Sequence, residues 1–391
     1  MRRDHCPVCG CRSLNCFLNR HQVPVHQNLV VTDQQAARTV LRGELEMTVC
    51  EACGFIFNRV FEPHLLAYGK SYDNTQSCSA YFDSYLDELV QKLVKQRGVC
   101  HATIVEVGCG KGHFLRKLVE YPDSGNRGIG FDPSYVGPDT DMEGRLLFRR
   151  SYYDDAACAD LPADVVICRH VIEHVPDPLA LLRSVRAALQ GRCDTRVFFE
   201  TPSVEWILRH QVVWDFFYEH CSLFSLASLS KTFEFAGFQI DQAEEIFGGQ
   251  YLWLEARPTL ADPVATKTRH DTVALAQAYG VREQVLQTGW LVRLNTLKQS
   301  GKVALWGAGA KGATFANLAD PDALLLDCVV DINPNKQGCY IPGTGHPIVA
   351  PEELPARGVH AAILMNPNYH EENLRLLEQA DITIELIDWS P

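Results

Sequence analysis

A chain of 391 residues is too long for one ordinary domain, so two or three are expected, and 46% hydrophobic with 21% charged residues suits a globular protein with large cores. The net charge of −12 excludes broad electrostatic attraction to nucleic acid or an anionic membrane, though not a local basic pocket. No apolar run approaches the roughly 20 residues that cross a bilayer, and the basic start Met1-Arg2-Arg3 has no apolar stretch behind it to make a signal peptide.

The chain holds 15 cysteines, and without a secretion signal they read as reduced thiols of a cytoplasmic protein, some of them on metal. Cys6-Pro7-Val8-Cys9-Gly10 and Cys50-Glu51-Ala52-Cys53-Gly54 share the CxxCG form. Each pair sets two thiolates on a tight turn, and the two turns together can close a tetrahedral zinc site on Cys6, Cys9, Cys50 and Cys53. A closed four-thiolate site leaves no position for catalysis, so this zinc is expected to be structural. Asn28–Thr32 and Leu45–Val49 are the expected strands between the turns. A polar connection follows, and Tyr81–Lys95 reads as an amphipathic helix.

The next unit is organised around Ile104-Val105-Glu106-Val107-Gly108-Cys109-Gly110-Lys111-Gly112. An apolar strand runs into a glycine turn, then a helix from His113, then a second strand ending in Asp132. This is the first βαβ unit of a doubly wound sheet that holds an adenosine-type cofactor, with Asp132 placed to accept from ribose hydroxyls. Arg257–His270 reads as a linker. Asp271–Ser300 carries Ala278, Val281, Val285 and Val292 at helical spacing and opens a further unit. There a second glycine turn, Gly307 to Gly312, follows the strand Val303–Trp306, and strands are expected at Leu325–Asp331, Ala361–Met365 and Ile382–Leu386. Its backbone N–H groups and Lys311 lie near a helix start, a cradle for an anion. Within the first of these units, before the linker, Trp214-Asp215-Phe216-Phe217-Tyr218-Glu219-His220 sets a Glu-His pair among aromatics. A histidine suits proton abstraction at neutral pH, although one among aromatics is more often a packed core residue.

Gly108, Gly110 and Gly112 are spaced GxGxG and follow Glu106. This resembles motif I of class I S-adenosylmethionine (SAM) methyltransferases, in which Asp132 matches the ribose-binding acid. The resemblance implies SAM binding by Glu106, Gly108, Gly110 and Asp132, an adenine contact from Tyr153 and Asp154, and a place for His170 near the sulfonium. The whole order, a CxxC…CxxC module, a SAM unit and a unit with Gly307-Ala308-Gly309-Ala310-Lys311-Gly312, Asp331-Ile332-Asn333-Pro334-Asn335-Lys336 and Asn366-Pro367-Asn368-Tyr369, resembles the sugar C-methyltransferases of antibiotic biosynthesis. Those enzymes act on nucleotide-linked ketodeoxysugars. The resemblance covers essentially the whole chain and implies His220 as the base, Glu219 as its partner, and Lys311, Gly309 and Asn333 on the substrate. The family pattern Tyr-His-Glu-His stands here as Phe217, Tyr218, Glu219 and His220. Phe217 cannot donate a hydrogen bond, which leaves Tyr218 as the candidate phenol although neighbours on a strand face opposite ways.

The expectation is therefore an α/β protein in three parts: a zinc-binding module over residues 1–67, a Rossmann-like class I methyltransferase domain over 68–257 and a second Rossmann-like, substrate-binding domain over 258–391. Its expected reaction is C-methylation next to a ketone, on a small molecule, with no nucleic acid or membrane as partner. Three other functions compete. One is an O- or N-methyltransferase, or a C-methyltransferase of a non-sugar ketone. Another is an NAD-dependent oxidoreductase on Gly307, Gly309 and Gly312, whose GxGxxG spacing is followed by Asp331 about 20 residues on. The last is a zinc-dependent binding protein.

Overall fold

The computed structural model describes residues 2–66, 78–153, 163–189, 192–260 and 271–389. They build three sheets. The first is antiparallel: β1 (Leu14–Pro24) pairs with β2 (Arg42–Cys50), and β2 with β3 (Ile56–Asn58). Its fourth strand, Ser222–Leu223, comes from far along the chain and pairs Ser222 with Phe57. The expected strand at Leu45–Val49 lies inside β2, whereas Asn28–Thr32 forms none and only Val31 bridges to Tyr340. Pro24 ends β1, because it offers no N–H to continue a ladder, and the chain then turns toward the other sheets. A short helix, α1 (Gln34–Arg38), capped by the Asp33 side chain, fills that excursion.

The second sheet has eight strands and carries the first glycine loop. The helix expected at Tyr81–Lys95 is α2 (Ala80–Gln91), continued by a π turn to Gln96. Then come β4 (Thr103–Val107), α3 (His113–Glu120), β5 (Arg127–Phe131), β6 (Thr140–Asp141), β7 (Leu146–Arg149), β8 (Val165–Arg169), α4 (Pro178–Ala188) and β9 (Arg196–Pro202). After α5 (Val204–Arg209), β10 (the Ser222–Leu223 strand of the first sheet) and α6 (Leu226–Phe235), the antiparallel pair β11 (Phe238–Ile246) and β12 (Tyr251–Pro258) completes the edge. The order is β11-β12-β9-β8-β4-β5-β7-β6. Side chains alternate along β4: Ile104 packs with α2 and α3 on one face, Val105 and Val107 with α4 and α6 on the other. β4 lies between β5 and β8, so the chain reverses its direction of travel there and opens a crevice at the end of β4.

Residues 257–258 of the expected linker belong to β12, and residues 261–270 lie outside the described ones. Beyond them α7 runs unbroken over Thr272–Ser300. Its packing face is not the expected one. Val281, Val285 and Val292 are 83%, 67% and 62% exposed, and the buried positions are Thr272, Ala276, Tyr279, Glu283 and Leu294. The helix is turned by its contact with β1: a Cβ at Gly280 would lie 2.3 Å from the Phe17 carbonyl oxygen, an approach only glycine permits. The third sheet is parallel, ordered β15-β14-β13-β16-β17, from β13 (Lys302–Trp306), α8 (Ala310–Ala319), β14 (Leu326–Val330), β15 (Ile348–Val349), α9 (Leu354–Arg357), β16 (Val359–Leu364), α10 (His370–Gln379) and β17 (Glu385–Asp388). β13 sits between β14 and β16, so the second glycine loop also leaves a switch point.

The first sheet binds the other two together. Buried Arg20 of β1 donates to Glu283 of α7 at 2.7 Å and to the carbonyl oxygens of Val213 at 2.7 Å and Phe216 at 2.8 Å. One guanidinium thus ties the N-terminal hairpin, the segment leading to His220 and the long helix. No helix among the described residues is long and apolar enough to cross a membrane.

Candidate active site

The four cysteines of the two CxxCG turns converge. Cys6 Sγ lies 3.7 Å from Cys53 Sγ, and Cys9 Sγ lies 3.5 Å from Cys50 Sγ. All four ligand atoms are within 4.8 Å of one another. With Zn–S bonds of about 2.3 Å, a tetrahedral edge is about 3.8 Å, so the donor set fits zinc. The trailing glycines have φ of +70° and +71°, which lets each turn donate back from Gly10 N–H to Cys6 O and from Gly54 N–H to Cys50 O.

The first glycine loop is held from below. Gly108 N–H and Cys109 N–H donate to the Phe131 carbonyl, and Gly110 N–H donates to Asp132 Oδ2 at 2.8 Å. The other Asp132 oxygen accepts from Ser134 N–H and Oγ–H. A Cβ at Gly108 would fall 2.2 Å from the Val171 side chain, whereas one at Gly110 would meet nothing within 4 Å. The loop is therefore packed on one side and open on the other, as a cradle for a ligand should be. Glu106 is 3% exposed, and its Oε2 has no hydrogen-bond partner. Burial pushes its carboxyl up to about 8, against the opposing pull of Arg169 and the Leu115 N–H. An orphaned buried acid and an open glycine face fit a cationic, adenosine-bearing cofactor such as SAM. Tyr153 is buried, with its ring edge-on to Phe131 at 5.2 Å. Asp154 lies outside the described residues.

A cavity of about 270 Å³ opens where the three sheets meet. The second sheet contributes His170, Glu173 and His174, the segment after α5 contributes Asp215, Phe217 and His220, and the third sheet contributes Gly309, Lys311, Asn333 and Lys336. Asn28 reaches in from the excursion that follows β1. Val171, which packs under Gly108, follows His170 directly, so the cofactor loop and the cavity share a wall.

His170 has φ of +55°, a conformation that non-glycine residues adopt at a cost and that concentrates at functional sites. Its ring lies 2.8 Å from Glu200 and 3.4 Å from Glu173. Burial would lower its pKa, but Glu200 and Glu173 outweigh it and hold the ring up at about 9. Arg169 bonds the same Glu200 at 2.8 Å, and with His170 it keeps that buried carboxylate down at about 2. The sign of the pH dependence follows. A folded value above the ordinary imidazole value of about 6.5 stabilises the fold fully below 6.5 and is lost as pH rises through about 9. Denaturant unfolding should therefore show roughly 3 kcal/mol lost between pH 6.5 and 9.5 in the wild type and a flatter profile in His170→Gln. Parallel profiles would refute the coupling.

His220 is half-buried, with its ring centroid 4.0 Å from that of Phe217 and 4.9 Å from that of His174. Glu173, His174 and His220 bring their ligand atoms within 4.8 Å of one another. Burial depresses His220 well below the usual imidazole range, reinforced by His174, His170 and Lys311, and burial also lowers His174. The ring is thus neutral and able to accept a proton.

Two expected partners are placed elsewhere. Tyr218 points away from the cavity into the first sheet: its hydroxyl accepts from Glu62 N–H at 2.9 Å and donates to Glu62 O at 3.3 Å, and its ring stacks near Phe61. Glu219 is buried with its Oε2 accepting from Gln27 N–H at 2.8 Å, and it does not line the cavity. The reason is a turn at Tyr218 and Glu219, which leaves Phe217 and His220 on the cavity and carries the two residues between them away from it. The acid that accompanies His220 is Glu173, whose signal in the sequence was its place in His170-Val171-Ile172-Glu173-His174 at the end of a strand. At the second loop, Lys311 Nζ donates to Asp215 Oδ2 at 2.8 Å, Gly309 caps α8 with no side-chain bond, and Asp331 Oδ2 accepts from Ala308 N–H at 2.8 Å. Asp331 thus repeats at the second switch point what Asp132 does at the first.

A doubly wound sheet with an open, acid-backed glycine loop beside a cavity defines a SAM-dependent methyltransferase. Two family models lie in succession on the chain, "Methyltransferase domain" over residues 79–243 and "C-methyltransferase C-terminal domain" over 265–383. The chain is similar to the C-methyltransferase NovU of Streptomyces niveus, 26% identical over 390 residues, which span 94% of this chain and 91% of that one. Shorter likenesses reach the tRNA U34 carboxymethyltransferase of Campylobacter lari, 31% identical over 26% of this chain and 36% of that one, and the ubiquinone biosynthesis O-methyltransferase of Vibrio campbellii, 32% identical over 28% of this chain and 47% of that one. The chain is a SAM-dependent methyltransferase, and both of its matched units resemble those of C-methyltransferases.

Proposed function

We propose that the protein methylates the carbon next to a ketone of a nucleotide-linked deoxysugar, with His220 as the base. The observation that carries this reading is His220, grouped with Glu173 and His174, facing the second glycine loop across one cavity. The substrate's nucleotide lies toward Gly309 and Asn333, and its ketose toward His220. His220 takes the proton from the α-carbon, and the electron pair of the broken C–H bond passes to the carbonyl oxygen. Cationic His170 faces the same space and lends positive potential to the resulting enolate. Gly108, Gly110 and Asp132, with Glu106 behind them, would hold SAM, which would supply an electrophilic methyl group; the C–S bonding pair would stay on sulfur as the enolate carbon forms the new C–C bond.

The four-cysteine site holds structural zinc in this reading. The three parts divide near residues 67 and 257, and the protein works in the cytoplasm. Acceptor class is tested by exchange. In deuterium oxide without SAM, a nucleotide-linked ketodeoxysugar should exchange its α-hydrogen in the presence of the protein. No exchange, with methyl transfer instead to the oxygen or nitrogen of an acceptor, would replace C-methylation by O- or N-methylation.

A further inference from the structure

Lys336 is 6% exposed and lines the cavity. Its ammonium donates to Ala308 O at 3.1 Å and to Asn28 Oδ1 at 3.4 Å, both neutral acceptors. No carboxylate among the described residues comes within ion-pair distance. An ammonium has three protons, so one remains for a ligand, and a buried cation without a counter-charge is costly. Lys311 differs, because Asp215 already neutralises it. Asn333, on the same turn as Lys336, is 2% exposed and its Nδ2 has no hydrogen-bond partner, while its Oδ1 accepts from Asn335 N–H. The third component is the start of α8, ten residues long and without a side-chain cap at Gly309, where a Cβ would have only Asn28 Oδ1 nearby at 3.7 Å. A buried cation, a buried orphaned amide and an uncapped helix start all face one space.

We infer that Lys336, with the Asn333 amide and the first turn of α8, binds the diphosphate of the substrate, and that Lys311 does not. The inference rests on the reading of the substrate as nucleotide-linked and assigns its charge to a residue of this chain. The phosphoryl oxygens supply the counter-charge that Lys336 lacks and accept from the Asn333 amide. Lys311, paired with Asp215 beside Trp206, faces the ketose end of the cavity.

Calorimetric titration of the full-length, metal-loaded protein with UDP, dTDP and inorganic pyrophosphate tests this, with S-adenosylhomocysteine as a control ligand. Lys336→Met should weaken the diphosphates on the order of 10- to 100-fold, as expected for a lost charge-assisted bond, and leave S-adenosylhomocysteine affinity unchanged. Asn333→Asp keeps the acceptor for Asn335 N–H but adds a negative charge, and it should weaken the same ligands. Diphosphate binding by Lys336→Met at wild-type strength would overturn the assignment while the nucleotide-sugar reading stands, as would a larger loss from Lys311→Met. A wild-type protein that binds none of the three, yet methylates a phosphate-free ketone, would overturn both.

Discussion

Substitution of His220 by alanine is expected to reduce kcat for methyl transfer by about 10²- to 10⁴-fold, the usual worth of a positioned base, and to leave S-adenosylhomocysteine affinity within about twofold. The split follows from the geometry. His220 lines the cavity with Glu173 and His174, while the Gly108 loop lies behind Val171. The same variant should lose α-hydrogen exchange in deuterium oxide, which isolates proton removal from the later bond formation. Because burial, followed by His174, His170 and Lys311, holds His220 well below the ordinary imidazole range, the acidic limb of the wild-type rate profile should also fall below that range. Activity in His220→Ala within a few-fold of wild type, with exchange intact, would remove the residue from the role of base. Glu173 contributes by position, with its Oε2 held by Thr201 Oγ–H at 3.0 Å.

Stripping the metal from the four-cysteine site, or replacing Cys53 by serine, is expected to abolish activity through the fold. Apparent zinc-binding free energies of about 10–16 kcal/mol in small modules are also folding free energies. Here the loss would reach the cavity. Cys6, Cys50 and Cys53 share a core with Phe55, Phe57 and Phe224. Phe57 pairs with Ser222, two residues past His220, and Ile56 pairs with Leu223. Without the metal, β3 loses its anchor and the His220 segment loses its register. Metal analysis, thermal denaturation and rate should therefore fall together, and added zinc should restore them together. A rate that follows metal content at constant melting temperature would make the metal a participant in the chemistry; full activity in stable metal-free protein would deny it any role.

Much of this was legible in the chain. Two CxxCG turns, two glycine turns after apolar strands, and acids at the ends of the following strands are local patterns, and each requires only neighbouring residues to act. Local periodicity was a poorer guide on α7. Its valines were spaced for a helix face, yet Gly280 and the buried Glu283 chose the face that packs on β1. Tyr218 and Glu219 were adjacent to His220 in sequence but face Glu62 and Gln27 in space, because the chain turns at those two residues.

The sequence by itself determined the parts: two CxxCG turns, a cofactor loop and a second glycine loop, each made by residues within one short stretch. Only the tertiary structure decided which groups share the cavity. Glu173 joins His220 across some 47 positions of chain, Arg20 fastens the His220 segment from the first sheet, and Lys336 donates to the neutral oxygens of Asn28 and Ala308 with no carboxylate among the described residues in ion-pair reach. Those relations depend on long-range packing and on which charges are removed from water, and neither quantity is encoded in any local run of residues.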